Sequence, residues 1–390
     1  MTDLAERASR RLHPRTRAGI RSGGGRRAVF LLVVVAMLLT IGLGAMLSAS
    51  SVVSIKANAD QFELFSKQVL WVAIGLGAMV VTSLVPYRLW GKYAVGLFAL
   101  TAVGLLFTVA VGSRRGGATR WIEIGPVTLQ VAEFAKFTSL ALLASILARK
   151  GGLVQQLRHV FVPVATLLAI MAFLLLAQPD FGNLILIVGP AFVVLFASTV
   201  PLRFVFGLGV SGAFLMAVFA MAADYRKQRL LGFLDPFADA KNTGLQAVQS
   251  MVALGTGGLF GVGLGQSRAR WSWLPNAHTD FIFAIIGEET GFAGAAIVIA
   301  LFALFGIIGV SIAYRAPDVF GRLLAIGIVS WLTLQAVVNI GGVIAVLPIT
   351  GVPLPFISSG GNAMIVNLAA IGVLVNIART PRITTTEPAS

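Results

Sequence analysis

Apolar runs long enough to cross a bilayer recur along this chain, separated by mostly short polar stretches. Spanning needs ~20 largely apolar residues. About ten segments fit, near Ala28–Leu47, Val69–Val85, Tyr93–Val111, Val131–Leu147, Val160–Ala177, Asn183–Thr199, Phe204–Ala222, Phe281–Ala313, Leu323–Leu347 and Ala363–Ile377. The eighth is long enough to tilt strongly or to reach beyond the bilayer. The pattern predicts an all-α polytopic membrane protein with about ten transmembrane helices. No period of roughly 20–50 residues marks a repeat array.

The polar stretches orient the bundle. Arg88–Lys92, Arg149–His159, Arg203, Arg315–Arg322 and Arg379–Arg382 would all be cytoplasmic if the N-terminus is inside, as the positive-inside rule asks. With an even number of spans the C-terminus is then cytoplasmic too. One loop breaks the bias: Ser113–Trp121 falls outside although it carries Arg114, Arg115 and Arg120. The outer loop between helices seven and eight, about 224–280, is far longer than the others. A long loop among short ones is more often functional than spacer. The expected organisation is a disordered basic tail over 1–27, a membrane domain over 28–378 and a cytoplasmic tail over 379–390.

Composition agrees with the pattern. Of 390 residues 57% are hydrophobic and only 12% charged, where soluble domains sit near a quarter charged. The net charge of +15 could suggest nucleic acid, but it is concentrated in the N-terminal tail and short loops, where topology uses it, so no nucleic-acid partner is expected. With no cysteine and three histidines, a disulfide is excluded and a zinc site is not expected. No cofactor is indicated, with a divalent cation left open.

Ionisable residues inside lipid are costly and stand as functional candidates. Glu133 and Lys136, spaced i, i+3, can share a face of the fourth helix. They form either a mutual tie or part of a polar cavity for a charged headgroup. Glu288 and Glu289 point about 100° apart on a helix and read as bundle anchors. Arg114 and Arg120, with Trp121 beside them, suit an anion site at the outer headgroup level, because guanidinium forks match phosphate oxygens. The glycine run Gly255–Gly265 has no Walker lysine and no preceding strand, so it is no nucleotide loop. It reads as a close-packed segment where backbone approaches backbone. The stretch from Leu347 to Gly361, with Ser358 in it, reads as irregular backbone lining a site.

Asp280 stands where the long loop turns into the eighth helix, with Glu288 and Glu289 about 12 Å further on at ~1.5 Å per residue. Thr279 or Asp280 could cap that helix. The polar setting of Asn276, His278 and Thr279, with aromatic residues nearby, equally suits a general base.

Several motifs together resemble the SEDS family, whose members include FtsW, RodA and SpoVE. They are Ala118-Thr-Arg120-Trp121-Ile122 with Gln130 through Lys136, Gln178-Pro179-Asp180-Phe181-Gly182, and Phe233-Leu234-Asp235-Pro236. Further on come Gln246–Ser250, the glycine run, Leu274-Pro275-Asn-Ala-His278-Thr279-Asp280-Phe-Ile-Phe with Gly287-Glu288-Glu289, and Pro355-Phe-Ile-Ser358-Ser-Gly360-Gly361. The resemblance runs from about Ala28 to Ile377, and the residues after the glycine run are most similar to the division-type branch.

The resemblance implies a ten-helix peptidoglycan glycosyltransferase of the bacterial cell membrane at the division septum. Its substrate would be lipid II, and its partners a class B penicillin-binding transpeptidase and other division membrane proteins. It implies Asp280 as general base on the acceptor hydroxyl. Arg120 and Arg114 would contact the headgroup or pyrophosphate, and Lys136 paired with Glu133 matches a polar pair in the family's cavity. His278 and Ser358 complete the candidate substrate-binding residues. A lipid II transporter, an elongation or sporulation paralogue and a scaffold for the transpeptidase are the competing readings. Two departures from the family pattern stand out. Val131 replaces a proline where the fourth helix starts, and Asn362 follows Gly361 where the family often has Ser or Thr.

Overall fold

The computed structural model describes residues 23–56, 62–115, 118–125, 127–151, 157–221, 233, 235–240, 242, 244–268 and 279–381. The basic tail and the segment 269–278 lie outside the described residues. Helices fall over each of the ten predicted segments. In chain order they are α1 (Gly23–Lys56), α2 (Glu63–Leu84), the short α3 (Arg88–Lys92), α4 (Ala94–Val111), α5 (Val131–Lys150), α6 (Leu157–Ala177), α7 (Phe181–Ala197), α8 (Leu202–Met221), α9 (Leu245–Gly257), α10 (Ile282–Tyr314), α11 (Val319–Val343) and α12 (Gly361–Arg379). Among the described residues eight helices are long and apolar enough to cross a membrane. Of the other two predicted spans, α7 is a shorter apolar helix, Phe181–Ala197, and α8 is apolar over its fully described part, Leu202–Gly212.

Between α4 and α5 the chain adds a feature that the apolar pattern does not announce. Strands β1 (Ser113–Arg115), β2 (Ala118–Ile124) and β3 (Val127–Leu129) form a small antiparallel sheet in the order β1-β2-β3. Its register sets Arg114 opposite Thr119 and Ile122 opposite Leu129. α5 begins at Val131 without the proline. Asn362, at the start of α12, donates to the Thr128 carbonyl at 2.7 Å and so ties β3 to the bundle.

Helices α5, α11 and α12 are largely buried, whereas α2 and α4 keep most of their surface outward. Among the described residues the most extensive helix pairing is α2 on α12. A Cβ on Gly372 would collide with the Met79 carbonyl, so only hydrogen fits there. Thr82 then reaches across to the Ala369 carbonyl at 2.8 Å. Small residues and a hydroxyl bond are how helices associate where solvent gives no hydrophobic drive.

The two ends of the bundle are distinct. At one end the start of α1 meets the end of α12, Gly24 against Ala378. The Tyr87 hydroxyl at that end donates to Asp318 at 2.6 Å. Arg88 pairs with the same carboxylate at 3.1 Å, whose other oxygen caps α11 through the Gly321 amide at 2.8 Å. The sheet, the α6–α7 corner and Asp280 gather at the opposite end, which the loop charges assign to the outside.

α10 is two helices in line. Gly291, with φ 71° and ψ −167°, interrupts it, a break that the apolar pattern does not announce. The glycine run lies against the break. The amides of Val262 and Gly263 donate to the Glu288 and Glu289 carbonyls at 3.0 and 3.1 Å. Those of Phe292 and Ala293 donate to the Gly258 and Leu259 carbonyls at 2.9 and 3.1 Å. Backbone groups freed inside a membrane helix need such partners. From Phe281 to Glu289 every residue is buried.

Candidate active site

Asp280 is half-buried, one residue before Phe281, which occupies the cap position of α10. A phenylalanine cannot accept a capping bond, and Asp280 sits one position too early for the standard cap geometry. The acid is set instead against the loop after α11. It lines a crevice with Phe281, Asn339, Thr350, Gly351 and Val352, whose volume is about 10 Å³, room for one water. Gly351, with φ 70°, leaves space there: a Cβ at that position would lie 3.6 Å from Asp280 Oδ2. Asn339 donates from Nδ2 to the Asp280 carbonyl and to the Val352 carbonyl, each at 2.8 Å. The backbone that carries the carboxylate is therefore tied to α11 just before it enters α10.

One turn earlier on α11, Gln335 donates to the Pro353 carbonyl at 2.8 Å. Its oxygen accepts from Trp331 Nε1 at 3.0 Å and from Lys136 Nζ at 3.4 Å. Lys136 pairs with Glu133 at 2.7 Å, the two side chains being 0% and 2% exposed, and its ammonium also lies 5.2 Å from the centre of the Trp331 ring. The pair is thus enclosed by α11 rather than open to a cavity. Its connection to Asp280 runs through Gln335, the Pro353–Val352 backbone and Asn339. Gln335, Trp331 and Asn339 were missed in the sequence. The available signal was two amides spaced i, i+4 within an apolar span, where polar side chains must find partners.

Ser358 is buried and belongs to the same loop: its hydroxyl accepts from the Leu354 amide at 2.8 Å. Its carbonyl accepts from Gln68 at 3.3 Å. Arg120 projects from β2 to the α6–α7 corner, where it donates to the Pro179 carbonyl at 2.8 Å and stands 3.7 Å from Asp180 Oδ1. The buried Asp180 also receives the Asn183 side-chain amide at 2.8 Å at the start of α7. Arg114 lies in β1. His278 lies outside the described residues.

Glu288 and Glu289 anchor the break in α10. The Glu288 carboxylate accepts from Ser267 Oγ at 2.5 Å and from the Arg268 amide at 3.0 Å. Glu289 accepts a short bond from Ser48 of α1. Among the described residues no three carboxylate or imidazole groups cluster as metal ligands.

A family model described as "Cell cycle protein", covering FtsW, RodA and SpoVE, matches residues 29–383, and the chain belongs to this family of multi-pass membrane proteins. The particular relatives narrow the picture. The chain is 39% identical to a "Probable peptidoglycan glycosyltransferase FtsW" of Geobacter metallireducens, over 90% of this chain and 93% of that one. It is 36% identical to the "Stage V sporulation protein E" of Bacillus subtilis, over 91% and 97%. Among solved structures it is similar to a chain described under "Structural coordination of polymerization and crosslinking by a peptidoglycan synthase complex", with a TM-score of 0.74, 28% identity, and coverage of 90% of this chain and 97% of that one. It is also similar to the rod shape determining protein RodA of Thermus thermophilus, with a TM-score of 0.67, 26% identity, and coverage of 90% and 96%.

Proposed function

We propose that this chain polymerises lipid II into glycan strands as a peptidoglycan glycosyltransferase, acting in septal wall synthesis. The observation that carries this reading is the half-buried Asp280 at the outer mouth of α10, its main-chain carbonyl tied to a second helix by Asn339. Its relatives named as glycosyltransferases match over nine tenths of their length.

Asp280 takes the proton from the acceptor sugar's 4-hydroxyl as the oxygen attacks the anomeric carbon of the donor chain. The new C–O bond forms as the bond to the pyrophosphate breaks, with inversion to a β-1,4 linkage. The leaving undecaprenyl pyrophosphate carries the electron pair away. A base in partial enclosure and cations near the departing phosphates are what such a step requires. Arg120, at the same end of the bundle, is the cation this reading assigns to the phosphates, with Arg114 on the neighbouring strand. A class B penicillin-binding transpeptidase is the partner that would cross-link the product, alongside other division membrane proteins.

The test uses purified protein with its transpeptidase partner and lipid II in detergent, with Asp280→Asn beside wild type. Strands from wild type alone support polymerisation. Strands from neither, with lipid II crossing vesicles, overturn it in favour of transport. Normal division in cells carrying only Asp280→Asn overturns it in favour of a scaffold.

A further inference from the structure

Two amides one turn apart on α11 hold consecutive carbonyls of the loop opposite. Gln335 takes Pro353 and Asn339 takes Val352, each at 2.8 Å. A carbonyl can only accept, so it is the nitrogen of each amide, and not the oxygen, that meets these carbonyls. For Gln335 that oxygen is used by Trp331 and Lys136. For Asn339 it is not. Its nitrogen is shared between Val352 and Asp280, while its Oδ1 is buried without a hydrogen-bond partner among the described residues, on a side chain 5% exposed. Buried acceptors are seldom left orphaned, and an ordered water is one of the groups that satisfies them.

The surroundings say which. Asn339 lines the same crevice as Asp280, and among its described lining residues Asp280 is the one titratable group. The space of about 10 Å³ suits one small molecule, and Gly351 keeps it clear beside the carboxylate. An amide oxygen and a carboxylate are both acceptors, and a carboxylate takes several donors at once. Bridging the two asks for a donor with two hydrogens. A sugar hydroxyl has one.

We propose that Asn339 is a positioning residue for Asp280, fixing its backbone through Nδ2 and holding through Oδ1 a water that bridges to the carboxylate. The inference rests on Asp280 being the base. In the reaction that water accepts the acceptor's hydroxyl proton as it passes its own to Asp280, so one proton moves in and one moves out. The amide keeps the water's oxygen turned toward the acceptor.

The experiment compares polymerisation by wild type, Asn339→Ala and Asn339→Asp, with Asp280→Asn as reference. Misplacing a reacting group by about 1 Å costs on the order of a hundredfold, so Asn339→Ala should lose kcat on that order, with KM for lipid II little changed. Asn339→Asp sets a second carboxylate beside the water, and like charge disfavours ionisation of Asp280. Its acidic limb should therefore move to higher pH, by about half a unit or more. A folded Asn339→Ala with wild-type kcat, together with an unmoved limb in Asn339→Asp, overturns the proposal. A large rise in KM with kcat unchanged also overturns it, by placing a substrate donor on Oδ1. If the variants do not fold, a wild-type density map at a resolution showing ordered waters decides. Density bridging Asn339 and Asp280 supports the proposal, and its absence overturns it. Active wild type with inactive Asp280→Asn preserves the glycosyltransferase reading whichever way Asn339 behaves.

Discussion

Gly291 and Gly261 meet backbone against backbone: a Cβ built on Gly291 would collide with the Gly261 amide nitrogen. The break in α10 and the glycine run are one structure, each supplying the hydrogen-bond partners the other lacks. The backbone at Gly291 (φ 71°, ψ −167°) lies in a region that only glycine adopts without strain. Strain and overpacking together cost roughly 2–6 kcal/mol. Gly291→Ala should therefore lower the unfolding temperature in detergent steeply. An unchanged melting curve would show that the two segments do not meet in this way.

The enclosed Glu133–Lys136 pair is open to a double-mutant test. Removing one partner of a buried pair typically costs about 3–5 kcal/mol, while replacing both with apolar residues is often near neutral. Lys136→Met alone should destabilise strongly, and Glu133→Leu with Lys136→Met should recover most of the loss. The recovered variant is expected to polymerise, because the ammonium is spent on Glu133, Gln335 and Trp331. A stable but inactive double variant would instead assign the pair to the lipid II headgroup.

Arg120 shares its guanidinium between the Pro179 carbonyl and Asp180. If it also meets the pyrophosphate, Arg120→Ala should raise KM for lipid II on the order of tenfold, which is about 1.4 kcal/mol. Asp180→Asn weakens the ion pair yet leaves the cation, so its KM should stay near wild type. Titration of lipid II against initial rate separates the two. Equal KM values in all three proteins would remove Arg120 from substrate contact.

At the other end of the bundle, burial and the Asp318 carboxylate push the Tyr87 hydroxyl up to about 12. The folded value lies above the ordinary 10.0. The protonated, donating form is thus favoured by folding, and its contribution is complete below pH 10 and lost as pH rises through about 12. Tyr87→Phe should cost roughly 1.5–3 kcal/mol near neutrality, the range for a bond to a charged group. Activity measured well below the new melting temperature should be intact. Identical melting of the two proteins at pH 7–8 would count against this link.

Much of the molecule is legible along the chain. The apolar runs announce the membrane helices, because a bilayer leaves the backbone few other solutions and the required length is set by its thickness. Asp280 is visible as a carboxylate where a long loop meets a membrane helix, and the glycine run declares close backbone approach. What the chain conceals is decided by neighbours far off in sequence. The gap in α10 needs residues 257–263 to satisfy it. The sheet over Ser113–Leu129 is too short and too polar to show as a pattern. Whether Glu133 and Lys136 face a cavity or a packed helix depends on Gln335 and Trp331, two hundred positions away by chain. Asn339 looks like one polar residue in an apolar span until Asp280 and Val352 are brought against it. Periodicity and transfer energy are local properties and can be read in order. The partner that completes a buried polar group is a property of packing, and only the folded bundle supplies it.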